Sequence, residues 1–200
     1  MLLDRDGVLN LLVARPGGGC GEAPLRAAQI ALVPGAAPAL TLLRSAGFRL
    51  AMVTNQPAVA KGEAGPGEVE EVQAEVIGRL AALGATFDAV RVCLHHPQGR
   101  PGHPLSVACA CRKPAPGMLT SVLADLEAEP RLSWMVGDSD SDVAAGRAAG
   151  VSTVLVDSEG GSHKRSGQPT PDVRVADLAA AARFILADRR GGRATGGTPH

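Results

Sequence analysis

The chain has 200 residues, a length that suits one domain with a sizeable core. Its 20 Lys and Arg residues balance its 20 Asp and Glu residues, and only 2% of the residues are aromatic, so a broad nucleic-acid surface, an anionic-membrane surface and base-stacking platforms are all disfavoured. No apolar run approaches the roughly 18 residues of a membrane span. We therefore expect a monomeric cytoplasmic protein with a small ligand.

Segments with strand and helix patterns alternate along the chain. In order, the predicted elements are a strand ending at Asp4, a glycine-rich loop through 17–21, a helix over 34–47, a strand over 48–53, a helix over 68–83, a strand over 87–92, a helix over 117–126, a strand over 132–136, a helix through Ala149 and a strand over 151–156. This alternation predicts an α/β fold, a Rossmann-like parallel sheet flanked by helices, without an insertion large enough for a cap domain. We expect one domain over residues 1–186 and a disordered tail over 187–200, which is rich in Gly and Arg.

Two carboxylates follow the first predicted strand, in the run Asp4-Arg5-Asp6-Gly7. Ligands of such sheets bind at the carboxyl ends of the strands, so this is an active-site position. Gly7 permits a sharp turn that can aim both acids at one centre. One carboxylate could attack phosphorus while the other moves a proton, and both offer the hard oxygen ligands that Mg²⁺ prefers. Taken alone, the run is also typical of a solvated turn or of part of a calcium loop.

Three further polar groups come after later strands. Thr54-Asn55-Gln56 follows the second strand, where a hydroxyl and a backbone N–H could hold phosphate oxygens. Lys113 precedes a helix and offers a positive charge to a phosphoryl group, although an isolated lysine is more often simply solvated. The run from Gly137 to Asp142 follows the fourth strand, and its three acids repel one another unless a cation is near.

In this order, Asp-x-Asp-Gly, Thr, Lys and Gly-Asp-x-x-x-Asp resemble the haloacid dehalogenase-like (HAD-like) superfamily of phosphohydrolases. The resemblance implies that Asp4 is the nucleophile that forms an aspartyl-phosphate, and that Asp6 protonates the leaving oxygen and then activates water. It implies that Thr54 and Lys113 stabilise the transferred group. It also implies a magnesium site whose ligands are Asp4, the backbone carbonyl of Asp6, and Asp138, with Asp142 in support.

A second metal site is predicted in the loop before Lys113. Cys93-Leu94-His95 and Cys109-Ala110-Cys111 stand thirteen residues apart and offer three thiolates and one imidazole, the ligand set of a structural zinc. Zinc would hold a loop that is rich in Pro and Gly and has no apolar core of its own. His96 and His103 are competing ligands, but the two-residue spacing to Cys93 favours His95. Reduced surface thiols or a disulfide are the alternative interpretations, and Cys20 stands apart.

The run Cys-x-His-His-Pro-Gln-Gly, followed by Cys-x-Cys-Arg-Lys-Pro, resembles the heptose bisphosphate phosphatases of the histidinol-phosphatase-like branch. This resemblance implies removal of the 7-phosphate of D-glycero-D-manno-heptose 1,7-bisphosphate in nucleotide-activated heptose biosynthesis. Asn55, Gln56 and Arg112 would contact this small phosphorylated sugar. A phosphatase for histidinol phosphate or another small phosphomonoester is the alternative, and an inactive zinc-stabilised binding module is a remote one. The chain departs from the pattern at Ser139, where lysine is common.

Overall fold

The computed structural model describes residues 1–14 and 21–191. The glycines at positions 17 to 19 and Cys20 lie outside these ranges, as do residues 192–200. Within the described ranges, no helix is long and apolar enough to cross a bilayer.

Within the described residues, six parallel strands form one sheet, and the alternating pattern predicted the parallel arrangement and five of these strands. They are β1 (Leu2–Leu3), β2 (Ala51–Asn55), β3 (Ala89–Cys93), β4 (Trp134–Gly137), β5 (Ser152–Val156) and β6 (Val173–Val175). Their order across the sheet is β3-β2-β1-β4-β5-β6. The chain leaves β1 toward β2 on one side and later returns to β4 on the other, so β1 and β4 flank the point where the strand order reverses. A crevice for a ligand opens at the carboxyl ends of the strands at such a point.

In the part of the chain that the structure describes, six α-helices accompany the sheet: α1 (Ala36–Ser45), α2 (Ala58–Lys61), α3 (Pro66–Ala82), α4 (Gly117–Asp125), α5 (Asp140–Ala148) and α6 (Leu178–Gly191). The apolar residues of α1, α3 and α6, such as Leu40, Val76 and Ile185, are buried in one core with one face of the sheet. Those of α4 and α5, such as Leu119 and Ala145, belong to a second core on the opposite face. The molecule therefore has three layers, and its core is aliphatic, as the low aromatic content predicted.

Several boundaries differ from the sequence-based expectations. The second strand begins at Ala51 rather than Phe48, and the fourth begins at Trp134, because residues Pro130–Leu132 form a 3₁₀ turn that leaves Leu132 67% exposed. Neither β6 nor α6 was predicted from the sequence. Helix α6 continues to Gly191, so the first five residues of the expected disordered tail, 187–191, are helical.

Candidate active site and metal centres

Asp4 and Lys113 form an ion pair at the carboxyl edge of the sheet. The ammonium of Lys113, which is buried, lies 2.9 Å from Asp4 Oδ1 and 2.5 Å from Asp142 Oδ1, and it donates to the carbonyl of Val53 at 2.8 Å. Burial acts to lower the pKa of Lys113, but the two carboxylates outweigh it and raise the pKa above its ordinary value. Burial raises the pKa of Asp4 to about 7, against the opposing effect of Lys113. A cation is thus fixed beside the carboxylate predicted to be the nucleophile.

Asp6 is held by four donors. Arg5 donates from Nε to Oδ1 and from Nη2 to Oδ2, both at 3.1 Å. Asn10 Nδ2 donates to Oδ1 at 3.0 Å and Gln56 Nε2 donates to Oδ2 at 2.6 Å. Burial acts to raise the pKa of Asp6, but Arg5 and the two amides outweigh it, so the pKa lies below its ordinary value. In this arrangement Asp6 is an anion with a fixed orientation.

The two oxygens of Asp138 have different surroundings. Oδ2 accepts from Ser158 Oγ at 2.8 Å and from Lys164 Nζ at 3.0 Å. Oδ1 is buried and has no hydrogen-bond partner. A buried carboxylate oxygen without a donor is costly unless a cation binds it, so this atom fits a metal ligand.

The acidic cluster fits Mg²⁺ by its donor set. Asp4, Asp138 and Asp142 each bring a carboxylate oxygen within 4.8 Å of the others, and all three residues are buried. Asp142 is already engaged, because its Oδ1 faces Lys113 and its Oδ2 accepts from the N–H and the hydroxyl of Ser139. This distribution is consistent with the expected division between Asp4 and Asp138 as ligands and Asp142 as their support.

The Thr54-Asn55-Gln56 run links the other groups of the site. Gln56 Nε2 donates to Thr54 Oγ1 at 2.8 Å as well as to Asp6. Asn55 donates from Nδ2 to the carbonyl of Lys113 at 2.9 Å and accepts from its N–H at 3.1 Å. Both amides thus connect neighbouring parts of the site.

A cavity of about 360 Å³ opens above these groups. Asp4, Asp6, Lys113 and Asp138 are among its lining residues, as are Lys61, Glu63 and Arg112. Arg112 Nη1 donates to the carbonyl of His95 at 3.1 Å, so the arginine is anchored to the cysteine-rich loop. The cavity therefore combines four of the candidate catalytic and metal-binding groups with the positive charges of Lys61 and Arg112.

The predicted zinc ligands come together. Cys93, His95, Cys109 and Cys111 each place one donor atom within 4.8 Å of the others. The three Sγ atoms are 3.2 to 3.7 Å apart, close to the edge of about 3.8 Å expected for thiolates around a tetrahedral zinc with Zn–S bonds of about 2.3 Å. His95 Nδ1 lies 3.5 Å from Cys111 Sγ. The four residues fit a structural zinc, and the three cysteines are not paired in disulfides.

The competing histidines have local roles instead. His96 Nδ1 accepts from the N–H of Gln98 at 3.1 Å, and His103 Nδ1 accepts from the N–H of Leu105 at 3.2 Å. Each therefore stabilises a turn in the loop, and the choice of His95 agrees with the geometry.

Comparison with known proteins identifies the family. A profile of the HAD-hydrolase-like family matches residues 110–181. A D-glycero-beta-D-manno-heptose-1,7-bisphosphate 7-phosphatase of Pasteurella multocida is 34% identical over 157 residues, which cover 78% of this chain and 80% of that protein. The phosphatase of the same name from Escherichia coli K12 is 35% identical over 178 residues, which cover 88% of this chain and 84% of that protein. The chain belongs to the heptose-bisphosphate 7-phosphatase family of HAD-like hydrolases.

A solved member of this 7-phosphatase family has the same architecture. The D,D-heptose 1,7-bisphosphate phosphatase of B. bronchiseptica, crystallised with magnesium and phosphate, superimposes with a TM-score of 0.77 at 28% identity, covering 94% of this chain and 98% of that chain. The HAD-like fold expected from the motifs is thereby confirmed.

Four residues that contact the acids were not predicted from the sequence: Arg5, Asn10, Ser158 and Lys164. Arg5 and Asn10 stand in the motif's own turn, so their nearness to Asp6 could have been suspected from the sequence. Lys164 follows Asp138 by 26 residues in a segment without a recognisable pattern, and the sequence carries no signal for it.

Proposed function

We propose that this chain hydrolyses the 7-phosphate of D-glycero-D-manno-heptose 1,7-bisphosphate in nucleotide-activated heptose biosynthesis. The observation that carries the proposal is the ion pair of Lys113 with Asp4 in the lining of the cavity, in a chain whose curated relatives bear the name of this phosphatase. The sugar-phosphate substrate also fits the cationic residues Lys61 and Arg112 that line the same cavity.

In the first step Asp4 attacks phosphorus. The bond from the phosphorus to the sugar oxygen breaks as the bond to the carboxylate oxygen forms, and the leaving oxygen takes a proton from Asp6. Lys113 offsets the negative charge on the transferred group, which is the main requirement of phosphoryl transfer. The Thr54 hydroxyl, already oriented by Gln56, can donate to a phosphoryl oxygen.

In the second step a water molecule attacks the aspartyl-phosphate and passes a proton to Asp6. Inorganic phosphate leaves with the oxygen of water, and the Asp4 carboxylate is restored. The four donors around Asp6 favour the anion, which is the form that accepts this proton. The proton that Asp6 takes from water in this step is the one that the first step of the next turnover consumes.

The metals would have separate tasks. Mg²⁺, held by Asp4, the Asp6 carbonyl and Asp138, would neutralise charge on the phosphoryl oxygens. Two of the zinc ligands, Cys109 and Cys111, lie directly before Arg112 and Lys113, so a closed zinc site would fix the loop that delivers both cations.

Phosphate release from three esters tests the proposal. Heptose 1,7-bisphosphate, fructose 1,6-bisphosphate and histidinol phosphate are compared at saturating Mg²⁺, with Asp4→Asn as the control for the chemistry. We expect a clear preference for the heptose and a loss on the order of 10⁴-fold in kcat for the variant. Preference for histidinol phosphate would contradict the proposed substrate but agree with the proposed mechanism. No phosphate release from any ester would contradict both.

We also propose a monomeric cytoplasmic enzyme. The unbridged thiols of Cys93, Cys109 and Cys111 suit a reducing compartment, where such clusters bind metal rather than form disulfides. Sedimentation equilibrium of the purified protein tests the monomer.

A further inference from the structure

The 3₁₀ turn Ser162–Lys164, which follows β5, brings a second lysine to the catalytic acids. Lys164 Nζ lies 3.0 Å from Asp138 Oδ2, and only 23% of its side chain is exposed. Its ammonium is therefore directed into the site, and Lys164 is one of the residues that line the cavity.

The loop after β5 and the turn at Gly7 pack closely against Asp138 Oδ2. A Cβ on Gly161 would stand 2.0 Å from Ser158 Oγ and 3.0 Å from Asp138 Oδ2, and a Cβ on Gly7 would stand 2.2 Å from the same oxygen. Only glycine fits at these two positions while Ser158 and Lys164 keep their contacts. The loop after β5 is thus in van der Waals contact with the acidic cluster.

Arg165 fixes the segment that carries Lys164. Its Nη1 donates to Asp157 Oδ1 at 2.6 Å, and its Nη2 donates to the carbonyl of Ser158 at 2.9 Å and to Ser158 Oγ at 3.2 Å. Because these partners lie in the same loop, they hold the backbone next to Lys164 while its own side chain reaches the acid.

The balance of charge in the site depends on this lysine. Four acids, Asp4, Asp6, Asp138 and Asp142, stand against the cations Arg5, Lys113 and Lys164, so the described groups sum to one negative charge. Mg²⁺ would bring the sum to one positive charge, which suits a phosphate dianion. Without Lys164 the metal-loaded site would be neutral.

Position 139 cannot supply this charge. Ser139, next to Asp138, uses its hydroxyl and its N–H on Asp142 Oδ2 at 2.6 and 3.1 Å, which caps the first turn of α5. The positive charge beside Asp138 comes instead from a residue 26 positions further along the chain.

We propose that Lys164 is a second phosphate-binding cation of the active site, which holds the transferring group together with Lys113. This inference rests on the proposed phosphatase function and adds a residue to it. An ammonium beside the metal site attracts phosphate but repels the metal ion, so its two electrostatic effects have opposite signs. A residue with a structural role alone would, on removal, weaken both kinds of binding.

The test measures the two binding constants separately. Mn²⁺ serves as the metal probe and its binding is followed by electron paramagnetic resonance, while inorganic phosphate is titrated calorimetrically at saturating Mg²⁺. For Lys164→Met we expect the Kd of phosphate to rise about ten-fold or more, because a charge-assisted hydrogen bond is lost. We expect the Kd of Mn²⁺ to fall about three-fold, because a neighbouring positive charge is removed.

Three further variants complete the test. Lys164→Arg keeps the charge and should leave both constants within about two-fold of the wild type. Lys61→Met removes a lysine that lines the cavity near Glu63, and it should leave the Kd of Mn²⁺ within about two-fold. Lys164→Gln repeats the charge removal in case the methionine variant folds poorly.

Weaker phosphate binding with metal binding that is tighter or unchanged supports the proposal. An unchanged Kd of phosphate, or a Kd of Mn²⁺ that rises along with it, would overturn it. Neither constant depends on which ester the enzyme hydrolyses, so failure of the heptose assignment and failure of the Lys164 assignment give different results.

Discussion

Asn55 binds both backbone polar groups of Lys113, donating to its carbonyl at 2.9 Å and accepting from its N–H at 3.1 Å. One side chain at the end of β2 thereby fixes the main chain of a residue 58 positions away. The ammonium of that residue also donates to the carbonyl of Val53, on the same strand. The lysine is therefore held at both ends by β2.

Asn55→Ala should lower kcat without unfolding the protein. It leaves two backbone groups of Lys113 without their partner, at a cost of about 1–3 kcal/mol in the free energy of unfolding. A displacement of the lysine by about 1 Å would reduce kcat on the order of 10²-fold. Steady-state kinetics and urea unfolding measure the two effects. The exposed Thr120→Ala, which removes a local hydrogen bond of α4, is the control, and equal kinetics in both variants would contradict the positioning role.

Arg5→Met should impair the proton transfer assigned to Asp6. The substitution removes two of the four donors of a buried carboxylate and should lower the free energy of unfolding by about 3–5 kcal/mol. Without these two donors the Asp6 carboxyl loses its fixed orientation, which should reduce kcat on alkyl phosphates on the order of 10²-fold. The reduction of kcat on 4-nitrophenyl phosphate should be smaller, because the 4-nitrophenolate leaving group needs little protonation.

Gln73→Leu is the matched control for this experiment. Gln73 contacts Arg5 through Oε1 at 3.1 Å but makes no contact with Asp6, so its loss should affect kcat less than the loss of Arg5. Equal losses on the alkyl and aryl esters in Arg5→Met would argue against a role in leaving-group protonation.

Removal of zinc should inactivate the enzyme through the loop. Purified protein should contain about one zinc per chain, as measured by atomic emission, and His95→Ala should lose the metal. His96→Ala and His103→Ala should retain it, because these rings accept only local backbone hydrogen bonds. Zinc loss in either control with retention in His95→Ala would reverse the ligand assignment.

Zinc binding should also release protons. Burial raises the pKa of the Cys93 thiol to about 12, so this thiol is protonated near neutral pH until a metal displaces the proton. Titration of the metal-free protein with zinc in two buffers of different ionisation enthalpy measures the number of protons released. No dependence on the buffer would contradict this expectation.

Asp88 should make stability depend on pH in the acid range. Burial acts to raise its pKa, but the N–H of Leu50, at 2.7 Å, and the guanidinium of Arg44, at 2.9 Å, outweigh it, so the pKa lies below its ordinary value. A depressed folded-state pKa stabilises the native state above the unfolded pKa of about 3.9, and this contribution disappears as the pH falls through the folded value. Asp88→Asn should therefore be less stable than the wild type near pH 7.

The difference in the free energy of unfolding between the wild type and Asp88→Asn should shrink as the pH is lowered below about 4. Urea unfolding at several pH values measures it. A difference that stays constant over the whole range would mean that the carboxylate charge at this position contributes nothing.

The main features of the fold were predictable from local patterns. Helix α3 has buried Val69, Val72, Val76 and Leu80 at spacings of three and four, which is the period of one helix face. Short apolar runs that end in Asp4, Thr54 and Gly137 gave the neighbouring strands β1, β2 and β4 to within a few residues. Strand β6 was missed because three residues, two half-buried and one exposed, are too few for a period to be recognised.

By itself, the sequence predicted the α/β sheet, the acids and the lysine that lie at its carboxyl edge, and the Cys₃His cluster that fits a structural zinc. These features depend on residues close together in the chain, or on motifs whose order is diagnostic. Only the tertiary structure decided that Asn55 fixes Lys113 and that Lys164 reaches Asp138. Such contacts join side chains through space, where periodicity and spacing carry no information, because the direction of each side chain is set by the packing of the whole domain.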